Sequence, residues 1–429
     1  MQATTLSLAF SAVLLASLAT RLWLASRQIR HVVRHRGDVP AAFAATIGLP
    51  AHQKAADYTV ARARMGMLTD SVGTAVLLGW TLLGGLDALN AWVLATVPPS
   101  WGGLAAQLAL FAAFALVGML IDLPFEWART FGLEARFGFN RMTPALFWSD
   151  QLKGLALGAV IGLPLLAAVL WIMEVSGGLW WLWAWALITA FSLLMQVIFP
   201  TWIAPLFNRF EPLADAALAE RVQALMLRCG FRAKGFFVMD GSKRSAHGNA
   251  YFGGLGRSKR VVFFDTLLSR LQPLEVEAVL AHELGHFHHR HVLKMMLRGF
   301  ALSLAGLALL GWLAQQPAFY LGLGVEPSLN GSHQALALIL FSLATPPVMF
   351  FLSPLMAGSS RRAEFEADAY ACAQSSGKAL QAALLKLYED NASTLTPDPV
   401  YARFFYSHPP AAERLAAMAK HLRPEGAQA

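Results

Sequence analysis

The sequence predicts a mainly α-helical, polytopic membrane protein with seven transmembrane helices and a cytoplasmic α+β domain. Three observations carry that prediction: the composition, the spacing of long apolar runs, and the distribution of basic residues among the loops. Of 429 residues, 56% are hydrophobic and only 14% are charged, whereas a soluble chain carries about 25% charged residues. The formal net charge of +8 fits basic residues flanking membrane spans better than a nucleic-acid surface. The expected surroundings are therefore a lipid bilayer, with no nucleic-acid partner. Cys229 and Cys372 lack CxxC spacing, which excludes a disulfide framework and a cysteine zinc site.

The elements follow in chain order. The first thirty residues lack a basic leader, and their arginines follow the apolar run, so they read as a retained first span. A helix needs about 20 apolar residues to cross the hydrocarbon. Seven segments meet this: Leu6–Ala25, Leu68–Leu89, Leu104–Ile121, Leu155–Met173, Leu179–Phe199, Phe300–Gln316 and Ala335–Leu355. Pro346 and Pro347 should kink the last. Basic residues crowd the connections after the first span (Arg27, Arg30, Arg34, Arg36, Lys54, Arg62, Arg64) and the third (Arg129, Arg136, Arg141, Lys153). The connections after the second, fourth and sixth carry none. That alternation puts the N-terminus outside and the basic loops, the 201–297 segment and the C-terminal tail in the cytoplasm.

Within 201–297, "LAERVQALMLRCG" has helical periodicity ending at Gly230, and "GFFVMD" and "RVVFFDT" are β-rich. "LEVEAVLAHELGHFHHRHVLKMML" reads as one long helix. The organisation is then 1–200 with spans one to five, 201–297 as a cytoplasmic domain, 298–357 with spans six and seven, and 358–429 as a C-terminal segment.

HELGH occupies His282 to His286. Residues four apart share a helical face, so His282 and His286 can grip one ion, with Glu283 able to reach a water on it. Imidazole favours zinc, and a catalytic zinc takes three protein ligands and keeps a fourth position open. The best third-ligand candidate is "SRRAEFEADAYACA". Glu364 and Asp368 share one face there, while Glu366 points away. Glu364 is read as the ligand and Asp368 as the acceptor for a ligand histidine's second N–H. A solvated helix pairing with Arg361 and Arg362 is the plainer alternative. A second metal site on His288, His289 and His291 is not expected, because adjacent residues diverge on a helix.

With these motifs on the page, the chain resembles the type I CAAX prenyl proteases, seven-span membrane zinc metallopeptidases. The likeness rests on "EARFGFNRMTP", "SAHGNAYFGG", "AVLAHELGHFHHRHVLK", "SRRAEFEADAYA" and "YSHPPAAERL", in that order. It implies a gluzincin-like catalytic domain and a water-filled chamber enclosed by the helices, with the zinc site toward the cytoplasm. It implies one zinc held by His282, His286 and Glu364, with Glu283 as general base. Asp368 matches a functional acidic position that orients a zinc histidine or assists proton transfer. His408 and Asn249 would lie near the substrate, His408 as an oxyanion donor or else a turn residue before Pro409. Asn249 falls in the expected strand "NAYF", an edge on which a peptide could add. Two departures stand out. "GHFHHRH" is richer in histidine than the family pattern, and "RPEGAQA" carries no lysine-based retrieval signal. The latter, with the high alanine and leucine content, points to a bacterial inner membrane and leaves prenylated substrates open.

The expected partners are a prenylated or membrane-associated peptide and the bilayer, with the chain as a monomer. In the expected mechanism zinc activates water and polarises the scissile carbonyl, and Glu283 carries the proton to the leaving amine. A general membrane quality-control protease shares this chemistry and stays open as an alternative. A seven-helix receptor or transporter would need charges inside the spans, and only edge residues Asp87, Asp122 and Glu126 stand out. An intramembrane-cleaving protease would bury HExxH in an apolar span, whereas "PLEVEAV" and "FHHRH" flank it here. A closed structural zinc site would need a fourth protein ligand.

Overall fold

Helices long and apolar enough to cross a bilayer dominate the computed structural model, which describes residues 2–231, 235–253, 260–327 and 333–422. Gly254 of the "SAHGNAYFGG" motif, part of the connection before the last span, and the "RPEGAQA" tail lie outside the described residues. Six such helices are Ala3–Arg34, Gly103–Glu134, Pro144–Val175, Gly177–Leu206, His291–Leu313 and Gln334–Gln374; a bent pair, Leu49–Trp80 and Gly85–Thr96, brings the total to seven. Leu8, Val160, Trp202 and Leu355 on their outer faces are exposed, as lipid-facing residues would be. Leu86, Leu170, Leu310 and Leu340 pack inward as a continuous core.

The second span departs from expectation. The segment Leu68–Leu89 runs through a 54° bend instead of a straight helix. Gly84 sits at φ +76°, and a Cβ at Gly85 would lie 2.5 Å from the Gly79 carbonyl oxygen. Only glycine permits a turn that close. The spans also hold more charge than the edge residues noted above. Arg21 of the first helix lies 3.6 Å from Asp70 of the second, and mutual pairing is what makes such residues tolerable at depth.

Among the described residues the α+β domain is built on four strands: β1 (Phe210–Pro212), β2 (Phe236–Met239), β3 (Ala250–Gly253) and β4 (Arg260–Phe264). Their order is β1-β2-β4-β3. β1 runs antiparallel to β2, β2 parallel to β4, and β3 antiparallel to β4, so β3 is an edge. Helix Ala216–Arg228 ends as its sequence dictates, at Gly230 with φ +75°. It packs with Phe263, Leu280 and Leu284 in one buried core.

The HELGH helix spans Pro273–His288 and starts with proline in its first turn and a Gln272–Glu275 capping box, which satisfies two orphan N–H groups. The single long helix expected here is in fact two. Arg290 adopts φ +56°, a left-handed geometry that stops the ladder, and a second helix restarts at His291. The last span holds Pro346 and Pro347 inside its helix and continues through a short 3-10 turn into Ser353–Gln374. Helix His291–Leu313 thus runs across position 297, and Ser353–Gln374 across 357.

Candidate active site

The site forms where the HELGH helix crosses Ser353–Gln374. Gly285 makes the crossing close: a Cβ there would meet the Ala367 Cα at 2.9 Å. Two small residues at the crossing let the backbones approach, and the flanking side chains meet across the gap. His282 and His286 project from one helix and Glu364 and Asp368 from the other.

The His282 and His286 Nε2 atoms lie 3.3 Å apart. Glu364 brings one carboxylate oxygen to 3.5 Å from His282 Nε2 and the other to 3.4 Å from His286 Nε2. Ligands at about 2.0–2.1 Å in tetrahedral array stand roughly 3.3 Å from one another. The three residues therefore have the spacing of a single tetrahedral metal site. A second observation agrees. Glu364 Oε2 is buried without a hydrogen-bond partner, a costly state for a carboxylate oxygen. The outer nitrogens are also committed. His282 Nδ1 donates to Asp368 at 2.8 Å, which leaves its Nε2 as a lone pair aimed at the cluster. A cation in this cradle satisfies all of these groups together.

Burial disfavours protonation of His282, but the hydrogen bond to Asp368 and the nearby Glu364 carboxylate outweigh it and raise its pKa to about 9. This is the site's negative field acting on the nearest proton acceptor, and a metal would replace that proton. Glu283 is partly buried. Burial raises its pKa, while the adjacent His282 and His286 pull the other way.

Each histidine of the cradle has a support behind it. Asp368 holds His282 and is itself clasped by Arg414 through two hydrogen bonds of 2.8 and 2.6 Å. Arg414 is buried, and its Nη1 lies 3.7 Å from Glu364 Oε2. Burial works against its charge, and Asp368 holds the charge in place. Behind His286 stands His291, with the two Nδ1 atoms 3.0 Å apart. His291 Nε2 then lies 2.9 Å from Glu366. Donation from His286 to His291 and from His291 to Glu366 gives both rings one consistent tautomer.

His408 sits with Nε2 3.4 Å from Glu364 Oε1 and Nδ1 2.9 Å from the Ser407 hydroxyl. Desolvation by the surrounding walls lowers its pKa, against the pull of Glu364. Its loop is anchored by Arg361, which donates to the carbonyls of Ala402, Arg403 and Tyr406. Asn249 lies one residue before β3 instead of within it, and its side chain accepts from the Ala250 N–H at 2.8 Å. His288 and His289 stand apart from the cluster, their rings packed near Tyr370.

Comparison with known proteins now bears on the whole arrangement. Residues 28–209 match the model of the CAAX prenyl protease N-terminal region with five membrane helices, and residues 212–422 match peptidase family M48. The crystal structure of S. mikatae Ste24p superposes with a TM-score of 0.89 at 30% identity, covering 96% of this chain and 98% of that one. The CAAX prenyl protease 1 homolog of Homo sapiens is 30% identical over 95% of each chain. That of Arabidopsis thaliana is 37% identical over 72% of this chain and 73% of its own. The chain belongs to the M48 CAAX prenyl protease 1 family. As a member it is a multi-pass membrane metallopeptidase, and the cradle above is the group of its described residues spaced to take the metal.

Three residues behind the cradle, Arg414, His291 and Glu366, carry no local sequence signal for their role. Arg414 lies inside the "YSHPPAAERL" motif but had no partner assigned. Glu366 reads as pointing away from the face of Glu364 and Asp368, and His291 enters only with His288 and His289 as a second metal site that is not expected. The left-handed turn at Arg290 brings His291 back onto His286, five residues away.

Proposed function

We propose that the protein is a zinc endopeptidase cutting peptide bonds near the C-terminus of prenylated or membrane-associated peptides, from the cytoplasmic side of a bacterial inner membrane. The observation that carries this reading is the tetrahedral spacing of two imidazole nitrogens and one carboxylate beside the partly buried Glu283. The names of the relatives, CAAX prenyl protease 1, support the substrate class. The loop arginines and lysines support the orientation. Two nitrogen ligands and one oxygen ligand favour zinc among common divalent ions, and the chain acts as a monomer.

His282, His286 and Glu364 are the residues that would hold the zinc. Zinc bound there lowers the pKa of water and polarises a carbonyl. Glu283 takes the proton of the attacking water and returns it to the leaving amine, a task for which a carboxylate pKa raised by burial is suited. Asp368 orients His282. His408 donates to the developing oxyanion from the cavity wall. Asn249 stands at the start of the β3 edge, where an extended peptide adds by backbone pairing.

The test is cleavage of a fluorescent farnesylated CAAX peptide by detergent-purified protein, beside Glu283→Ala and an unprenylated copy, with zinc quantified throughout. Wild type should cut the farnesylated peptide, and Glu283→Ala should keep zinc and lose activity. Equal cleavage of both peptides would favour membrane-protein quality control instead. A zinc-loaded wild type that cuts neither would overturn the reading.

A further inference from the structure

Two cavities meet along the helix Leu49–Trp80. One, of about 500 Å³, is lined by His408, Tyr401, Tyr406, Arg21, Asp70 and Arg62. The other, of about 620 Å³, is lined by Glu126, Arg129, Glu134, Arg244, His247 and again Arg62. His408, on the wall of the first cavity, reaches Glu364 at 3.4 Å, so that cavity borders the metal cradle through this residue.

The charges on these walls nearly all have partners. Arg21 pairs with Asp70 at 3.6 Å. Arg129 pairs with Glu126. Arg244 grips Asp150 through two hydrogen bonds, at 2.8 and 3.0 Å. Glu134 accepts from the Tyr58 hydroxyl at 2.7 Å and faces His247 at 3.7 Å. Among the described residues, Arg62 is the cavity arginine that pairs with no carboxylate. It is held over the Tyr58 ring, 5.5 Å from the centroid, and it is exposed to the cavity.

A guanidinium stays charged at any physiological pH. Exposed to the cavity and without a carboxylate of its own, it is available to a ligand carboxylate, which it meets with a planar fork of donors. The ring of Tyr58 fixes its position beforehand. We propose that Arg62 anchors the C-terminal carboxylate of the peptide substrate. This rests on the endopeptidase reading above and adds what that reading lacks, a reason for cutting near a chain end. A cation fixed at one distance from the metal cradle measures the cleavage position from the C-terminus.

The experiment compares two peptides identical except for a free or an amidated C-terminus. Both are offered to zinc-loaded wild type, Arg62→Gln, Arg62→Lys and Arg64→Gln, and the ratio of kcat/KM values is read. Wild type should favour the free acid by roughly tenfold to a hundredfold, the range of one charge-assisted hydrogen bond. Arg62→Gln should bring the ratio to within about twofold of unity, and Arg62→Lys, which keeps charge without the fork, should fall between. Arg64, two residues on and therefore on another helix face, should keep the wild-type ratio when changed. Equal cleavage of acid and amide by wild type overturns the anchor alone, as does a preference that survives Arg62→Gln. A wild type that cuts neither peptide overturns the endopeptidase reading and the anchor with it.

Discussion

His282 and His286 face one metal cradle, but the regions behind them are built differently. Behind His282 lies a buried ion pair, Asp368 with Arg414, whose side chains are 2% and 9% exposed. Behind His286 lies a second ring, His291, leading to Glu366, which is 52% exposed at its side chain. Both arrangements fix a tautomer and a ring direction. They differ in what happens when they fail. Removing one member of a buried ion pair strands the other charge in low dielectric. Removing the end of a solvated relay leaves a group that water can satisfy. The comparison teaches that the same orienting task can be bound tightly to folding or kept nearly separate from it.

The largest expected effect lies between the two supports. Glu283→Gln should lower kcat by roughly 10²- to 10⁴-fold, the usual contribution of a general base. Metal content and melting temperature should stay near wild type. A parallel loss of metal would make Glu283 part of the cradle instead.

Next comes the His282 side. Asp368→Ala should destabilise the protein by about 3–5 kcal/mol, because Arg414 is left buried and unpaired. It should also weaken zinc binding roughly 10- to 100-fold. The double change Asp368→Leu with Arg414→Met should recover much of the stability and little of the zinc affinity. Thermal unfolding beside chelator competition separates the two. If Asp368→Ala melts like wild type, the contrast between the supports collapses.

The His286 side should give the smaller, cleaner effect. His291→Ala should weaken zinc about tenfold, with a melting shift well below that of Asp368→Ala. Glu366→Gln should do less still, since its exposed end exchanges with water. The order of zinc affinities, wild type over Glu366→Gln over His291→Ala, tests the direction of the relay.

The smallest effect is on pH. Burial raises the pKa of Glu283 above its ordinary value. The base is therefore protonated, and inactive, at a pH where a free glutamate is already ionised. The acid limb of kcat/KM should sit above the usual carboxylate range and disappear in Glu283→Gln. An acid limb at the ordinary glutamate value would show that the site's positive groups cancel the burial.

Much of this architecture was legible beforehand because its signals are local. Twenty apolar residues make a span wherever they occur, and HELGH puts two histidines on one face through helical period alone. The strands at "GFFVMD" and "RVVFFDT" were equally visible, since β-rich runs between turn residues need no tertiary help. What failed did so at backbone breaks. The bend at Gly84 and Gly85 sits within an apolar run that hydropathy reads as continuous. Arg21 and Asp70 are conspicuous only once the first two helices lie side by side. Asn249 lies one residue before β3, although its carbonyl already accepts from the Phe264 N–H of β4 at 3.0 Å.

The sequence by itself determined the membrane class, the ligand residue types and the spacing of the two histidines, all functions of nearest-neighbour geometry along one helix. The tertiary structure decided which carboxylates serve which histidine. That choice depends on Gly285 meeting Ala367 and on Arg290 turning left-handed. Both are contacts or dihedrals that arise only when distant segments pack, and no helical period encodes them.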